Sequence, residues 1–595
     1  MKKKITHRIV LFIFLLLVLV SCTDKFEELN LNDGKFTEAS PEELFTGSVL
    51  STLNLVGGVL NDQMFNSYAS YYGGKGGQFN RFFYLDSNID GYWRTFYVDI
   101  LKNNQLIIDT YSNDPAYANR VHMAKIWRSY VFSILVSTFG PVPYQDAIAG
   151  LRATKYDSEE FIYRQILADL KNAGDNINPD GDALSQDPIF NGDVSKWVKF
   201  ANSLRLKIAL RINKGFPNLA ELHGMDVMAN ESNMLSSNAD NVAMKWEDNA
   251  ENWSYNYQRY IFIQPSEDVL PYVNFHFLLN LKTYQDPRLF KIVEPSTNPI
   301  TVQDQVFASG STTQKITVEY ELPYFGRPLG GNAVVEGWGL NGDANPLAGI
   351  ETRRFCRPKT DLFMAPAMSY YISTYAEVNF LKSEAKLKNW GGAKSAEQYY
   401  YDGIDASFEQ YGVTGTTEYK EKEGIKWGTT SSGDRGLFNL SDSGFNLPDS
   451  GITEDEFKLD KIVRQRWLSS FNQGHDIWCL QKRTRLLPII DHFAPDGATG
   501  LNFAPIPERM IYPPIIEGAT NNANLQDAIS KLTESVSPNF PSGNSLYSKL
   551  KINKTYTPID WATYGTPTFT SDFLTNFYGD SEDDLIAAGV TYKIL

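Results

Sequence analysis

Between Tyr68 and Tyr97, eleven of thirty residues are aromatic, nearly three times the chain average of 13%. Gly73, Gly74, Gly76 and Gly77 interrupt the run, so the backbone from Tyr72 to Phe79 is a poor helix former. Rings on a glycine-rich loop suit one chemistry well. The C–H face of a pyranose packs on the ring, while nearby amide and guanidinium groups bond the sugar hydroxyls. Tyr71, Tyr72 and Phe79 are the candidate rings, with Gln78 and Arg81 beside them as hydrogen-bond donors. Burial in a core is the competing reading for Tyr71, Tyr72 and Phe79. It is the preferred one for Trp93, Phe96, Tyr97 and Leu101, which share helical spacing.

A second cluster holds Trp246, Trp253, Tyr255, Tyr257 and Tyr260. Trp253, Tyr255 and Tyr257 alternate at period two, so on an extended segment all three face one way. Ser254, Asn256 and Gln258 interleave them, and the stripe is either a core-facing strand or an exposed stacking platform. The third candidate is Trp338, bracketed by Gly337 and Gly339, whose alternative is a ring folded back onto the core.

Other chemistries have weaker support. The chain has no Gly-x-Ser-x-Gly, no His-Glu-x-x-His and no phosphate loop. Gly337, Gly339 and Gly342 spell a lone dinucleotide-type glycine pattern, but Pro346 follows where a helix has to open. A carboxylate pair for glycoside hydrolysis has no motif to find, because its required separation is spatial. The six histidines are scattered. Cys356 and Cys479 sit beside Phe355 and Trp478 and read as buried thiols rather than nucleophiles. Asn176 to Asp187 imitates a calcium loop, yet Pro179 and the leading Asn favour a solvated turn. No cofactor, no metal and no catalytic residue is expected, and hence no enzyme.

The elements that must position these residues are mostly helical. Asp193 is a plausible N-cap for a helix that places Trp197, Phe200, Leu204, Ile208 and Ile212 on one face. A helix over 117–139 stops at Gly140-Pro141-Val142-Pro143. Trp390-Gly391-Gly392 divides two helices over 369–411, and a further helix covers 454–471. In the second of that pair, Ala396, Tyr400 and Gly403 match the small-aromatic-small spacing of tetratricopeptide helices. The expected fold is mainly α, one large helical scaffold with loop-rich, short-strand insertions near 286–365 and 412–453. We read 41–595 as one domain, with an atypical C-terminal segment from about residue 537.

Net charge is −15 and becomes −19 once the first 21 residues, with four basic and no acidic side chains, are removed. So acidic a chain offers no phosphate-backbone grip, which excludes general nucleic-acid binding. Lys2, Lys3, Lys4 and Arg8 precede twelve apolar residues, Ile9 to Val20, too few to span a bilayer and suited to a secretory signal. Leu19-Val20-Ser21-Cys22 resembles the cleavage site of lipoprotein signal peptides. The resemblance implies a signal peptide over 1–21, lipidation of Cys22 and a tether over 22–40. Acyl chains at about 0.8 kcal/mol per buried CH₂ would hold the protein on a membrane without crossing it.

Six strings behind that site together resemble the SusD/RagB family of nutrient-binding outer-membrane lipoproteins. They begin at Phe139-Gly140-Pro141-Val142-Pro143-Tyr144, Tyr156-Asp157 and Trp197-Val198-Lys199-Phe200-Ala201-Asn202. Later come Glu377-Val378-Asn379-Phe380-Leu381, Lys461-Ile462-Val463-Arg464-Gln465-Arg466-Trp467 and Pro507-Glu508-Arg509-Met510-Ile511-Tyr512. Order and spacing agree to about residue 530. The strings read as structural. The resemblance implies a lipoprotein facing the cell exterior, where it lies as a lid over a SusC-like TonB-dependent transporter. It also implies a mainly α, tetratricopeptide-like helical scaffold and a glycan ligand bound without chemistry. A peptide-binding lid is the alternative, and a surface glycoside hydrolase the more distant one.

Overall fold

The computed structural model describes residues 39–73, 88–148, 154–263, 265, 269–297, 300–307, 315–327, 355–422, 424–428, 453–487, 506–513, 522–536, 540–555 and 591–594. Cys22, Gln78, Phe79, Arg81 and Trp338, with the signal and tether, lie outside them.

Helices dominate. The first, α1 (Pro41–Tyr68), starts on a capping box: Ser40 accepts from the Glu43 amide while Glu43 bonds the Ser40 amide. Its length and apolarity would suit a membrane span, yet 61% of its apolar window is buried, so it serves as a core helix. The next helical run comprises Ile89–Arg94, Thr95–Leu101 and Lys102–Tyr111. It buries Phe96 and Leu101 completely, as their spacing predicts. Trp93 and Tyr97 are partly buried, and Trp93 packs on Phe139, Tyr156 and Tyr512.

The scaffold consists of helices packed in sequential pairs. In the first set, α2 (Ala118–Phe139) packs on α3 (Glu159–Asn176), α3 on α4 (Val194–Ile212), and α4 on α5 (Pro217–Ala229). Asp193 caps α4 as expected, accepting from the Ser195 and Lys196 amides. Trp197 meets Phe45 and Trp127 edge to face, with centroids 5.6 and 6.4 Å apart. In the second set, α6 (Tyr375–Leu387) packs on α7 (Ala396–Tyr411) and on α8 (Glu454–Ser469). Gly403 lies directly under the Phe380 ring, the close approach that a small tetratricopeptide position permits. The turn that imitates a calcium loop ends at Asp187. That carboxylate accepts from the Ile189, Phe190 and Gly192 amides and the Trp197 indole, so it serves as a cap.

A buried charge network joins four helices. Glu377 of α6 pairs with Lys207 of α4 at 2.8 Å and with Arg466 of α8. Asp476, on α9 (Gly474–Thr484), pairs with Lys207 at 3.1 Å and with Arg211 at 2.7 Å. Cys479 lies beside this network and is buried, as is Cys356. Burial alone would raise the Cys479 thiol, but His475, Arg211 and Lys482 outweigh it and bring it down to about 5.

Strands are few and short. Val242–Lys245 (β1) pairs antiparallel with Ser369–Ser373, and Val293–Glu294 with Arg357–Pro358. Ile300–Phe307 and Lys315–Leu322 form a hairpin whose second strand also pairs with Thr591–Ile594. The tail therefore returns to the insertion near 286–365. Residues 540–555 also bind the scaffold: the Glu508 amide donates to Leu546 O, and the Lys554 amide to Lys482 O.

Candidate ligand-binding site

The site residues sort by the elements that carry them. Trp253, Tyr255 and Tyr257 are not on an extended strand. Ser254 accepts from the Tyr257 amide and caps a helical turn, Tyr255–Tyr257, that continues through Gln258–Ile263. The three rings therefore diverge, because in a helix positions two apart lie on different faces. Trp253 and Tyr257, four apart, meet edge to face at 5.0 Å. Tyr255 turns to α1, where Gly58 leaves room: a Cβ there would lie 2.7 Å from the Tyr255 Cβ.

Asp62 of α1 anchors this turn, and its neighbour Gln63 anchors the helical run that carries Tyr92. The Tyr260 hydroxyl donates to Asp62, and the Tyr92 hydroxyl to Gln63 at 2.5 Å. Burial, followed by the Asp62 charge, raises the Tyr255 and Tyr260 hydroxyls above their usual value. Beyond the anchors the segment is apolar and open. Phe262 is 61% exposed and Ile263 63%, and the Phe262 ring lies 4.9 Å from Trp253. Tyr92 also lines a groove of about 540 Å³, together with Ser51, Asn54, Asn88 and Thr95.

Tyr71, Tyr72 and Trp246 correct the sequence reading. Tyr71 is fully buried: its hydroxyl donates to Trp467 O at 2.8 Å, and its ring meets Phe277 and Phe471 at 5.1 and 5.0 Å. Tyr72 is buried over Phe471, and Trp246 continues the β1 pairing by donating its amide to Met368 O. All three belong to the core: Tyr71 and Tyr72 lie under rings from residues 277 to 471, and Trp246 is buried beside the β1 pairing.

Just past Tyr72 the chain enters a junction that sequence alone does not show. Tyr72 bridges to Val273, and the Gly73 amide donates to Tyr272 O. The Arg327 guanidinium donates back to Gly73 O at 2.9 Å, and Arg327 bridges to Asn274. A Cβ on Gly73 would meet Arg327 O at 2.1 Å, so this approach requires glycine. The Cys356 amide donates to Phe325 O, bringing the far end of the second excursion to the same place. The segments that begin at 74 and 328 are thus rooted side by side. The first carries Gln78, Phe79 and Arg81, and the second carries Trp338. Arg327, Asp62 and Gln63 are positioning residues that the sequence reading missed. Their partners are remote, and no local signal marks them.

A family profile described as starch-binding, associating with the outer membrane, and named SusD-like, matches residues 33–513. The chain belongs to the SusD-like family. Solved structures agree on the fold. A chitin-binding SusD homologue from Flavobacterium johnsoniae superposes with a TM-score of 0.65 at 20% identity, covering 87% of this chain and 99% of its own. A SusD homologue from Bacteroides uniformis gives 0.63 at 21% identity, covering 86% and 99%. No curated protein matches the chain. Among the described residues of this SusD-like chain, no cluster of His, Cys, Asp or Glu is arranged to hold a metal ion.

Proposed function

We propose that this protein binds glycans at the cell surface and passes them, uncleaved, to a SusC-like TonB-dependent transporter that it covers as a lid. Cys22 would carry the lipid that holds it on the outer membrane, facing the exterior. The observation that carries the binding assignment is the junction of Gly73 with Arg327. It gives two ring-bearing and amide-bearing segments one origin, so Phe79, Gln78, Arg81 and Trp338 can serve one ligand. Trp253, Tyr257 and the exposed Phe262, on the turn tied to α1 through Tyr260 and Asp62, extend the stacking area. Hydroxyl-rich ligands suit such a surface, because rings take their C–H faces and amides take their hydroxyls. The chitin-binding relatives support the ligand class without identifying the sugar.

The test is electrophoresis through gels containing candidate polysaccharides. The mature chain should be retarded by at least one glycan without releasing product, and Phe79→Ala/Trp338→Ala should migrate nearly freely. Release of reducing ends would replace a binder with a hydrolase. Retardation by none of the glycans, with calorimetric binding of an oligopeptide pool, would favour the peptide-binding alternative.

A further inference from the structure

A second cavity, of about 410 Å³, lies between Ser369–Ser373, the C-terminal end of α7 and the turn after α8. Its size falls within the range of small-molecule sites. Phe471 lines it and also contacts Tyr72 at 6.4 Å, which places the cavity one aromatic ring away from the junction at Gly73.

Three features of its lining select a ligand. Gln410 and Gln473 contribute to the wall, and each leaves its buried side-chain Oε1 without a hydrogen-bond partner. An unpaired buried acceptor is costly, and a ligand O–H would satisfy it whereas a carboxylate oxygen would not. Lys291 and Lys359 also line the cavity, and among the described residues neither has an ion-pair partner. Asp361 shares the lining, so the charge there is net positive in a chain whose total is −15. Tyr371 and Tyr411 add ring surface. Hydroxyl donors for the amides, a carboxylate for the ammonium groups and an apolar face for the rings occur together in an acidic sugar.

We propose that this cavity binds an acidic monosaccharide unit, with Lys291 and Lys359 facing its carboxylate and Gln410 and Gln473 accepting from its hydroxyls. The inference rests on the glycan-binding reading and gives it a charge preference. The probes are a glucuronate-terminated oligosaccharide and its carboxyl-reduced counterpart, titrated calorimetrically into the full mature chain. A charge-assisted contact should make the acidic form bind about tenfold more tightly at low salt, and the advantage should shrink as salt rises. Lys291→Met/Lys359→Met should abolish the advantage, whereas Lys291→Arg/Lys359→Arg should keep most of it. Equal affinity for the two probes, or an advantage that survives in the Met variant, would overturn the cavity assignment. If a neutral polysaccharide still retards the chain, that failure belongs to the cavity alone. If no glycan of either kind binds, the wider reading fails first.

Discussion

The charge network around Glu377 and the junction around Gly73 both close over polar groups, but by different means. At Glu377, full charges from α4, α6, α8 and α9 neutralise one another, and every partner sits on a regular helix. At Gly73 the closure is made by backbone amides and carbonyls, one guanidinium and, nearby, tyrosine hydroxyls on Asp62 and Gln63. The first arrangement tolerates no replacement without stranding a charge. The second fixes the roots of the excursions at Gly73, Arg327 and Cys356.

The sharpest break between the regions is Glu377→Ala. It leaves Lys207 and Arg466 buried beside a lost partner, and removing one member of a buried ion pair costs about 3–5 kcal/mol. Thermal unfolding should shift down by many degrees, and ligand binding at temperatures where the variant stays folded should be unchanged. Loss of less than about 1 kcal/mol would show that water or rearranged side chains reach this site.

Glu159 gives the next largest effect and carries a pH signature. Burial raises its carboxyl to about 7, against the opposing hydrogen bond from the Lys551 amide. The folded protein therefore holds a proton that the unfolded chain releases near pH 4.5. Stability from this group is complete below that pH and is lost as pH rises towards 7, by about 3 kcal/mol. Glu159→Gln should remove the decline, so the gap between variant and wild-type melting temperatures should widen from pH 5 to pH 8. A constant gap would mean that the carboxyl is ionised throughout. The measurement also reports on the tail, since Lys551 belongs to the segment over 540–555 that docks on the scaffold.

The two regions also differ in how far they are legible in the sequence. The α4 helix announces itself through its Asp193 cap and its apolar face, because cap and periodicity are local. The boundary at Trp390-Gly391-Gly392 is readable for the same reason. The fate of Tyr71 is not, because its burial depends on Trp467, Phe277 and Phe471, residues 200 to 400 positions away. Trp253 and Tyr257 misled for a different reason: spacing four fits both a strand of period two and one helical turn. Ser254 was the signal that decides between them, since a serine ahead of the turn caps its amide. Arg327 gave no signal, because its role is defined only by the carbonyl it meets.

Gly73→Ala strikes the junction itself. Its Cβ would collide with a backbone oxygen that has no rotamer to relieve it, so a cost of about 1–3 kcal/mol is expected. Unlike Glu377→Ala, it should weaken glycan binding beyond its effect on stability, because the two ring-bearing segments would no longer share a root. If affinity stays intact in a variant with lowered melting temperature, the junction matters for folding alone.

The smallest expected effect tests how far the binding surface extends. Phe262 is mostly exposed and Trp253 only partly buried, so Phe262→Ala should leave stability within about 0.5 kcal/mol. If the pair flanks the bound glycan, that change should still weaken retardation in the polysaccharide gel several-fold, in line with about 1 kcal/mol for an exposed ring contact. Trp253→Phe should weaken it less, because it keeps a ring against Phe262. Unchanged migration of Phe262→Ala would confine the ligand to the segments rooted at Gly73 and Arg327. The exposed Ile261, Phe262 and Ile263 would then need an apolar partner to account for them, and the rim of the proposed SusC-like transporter is the first surface to test by crosslinking from position 262.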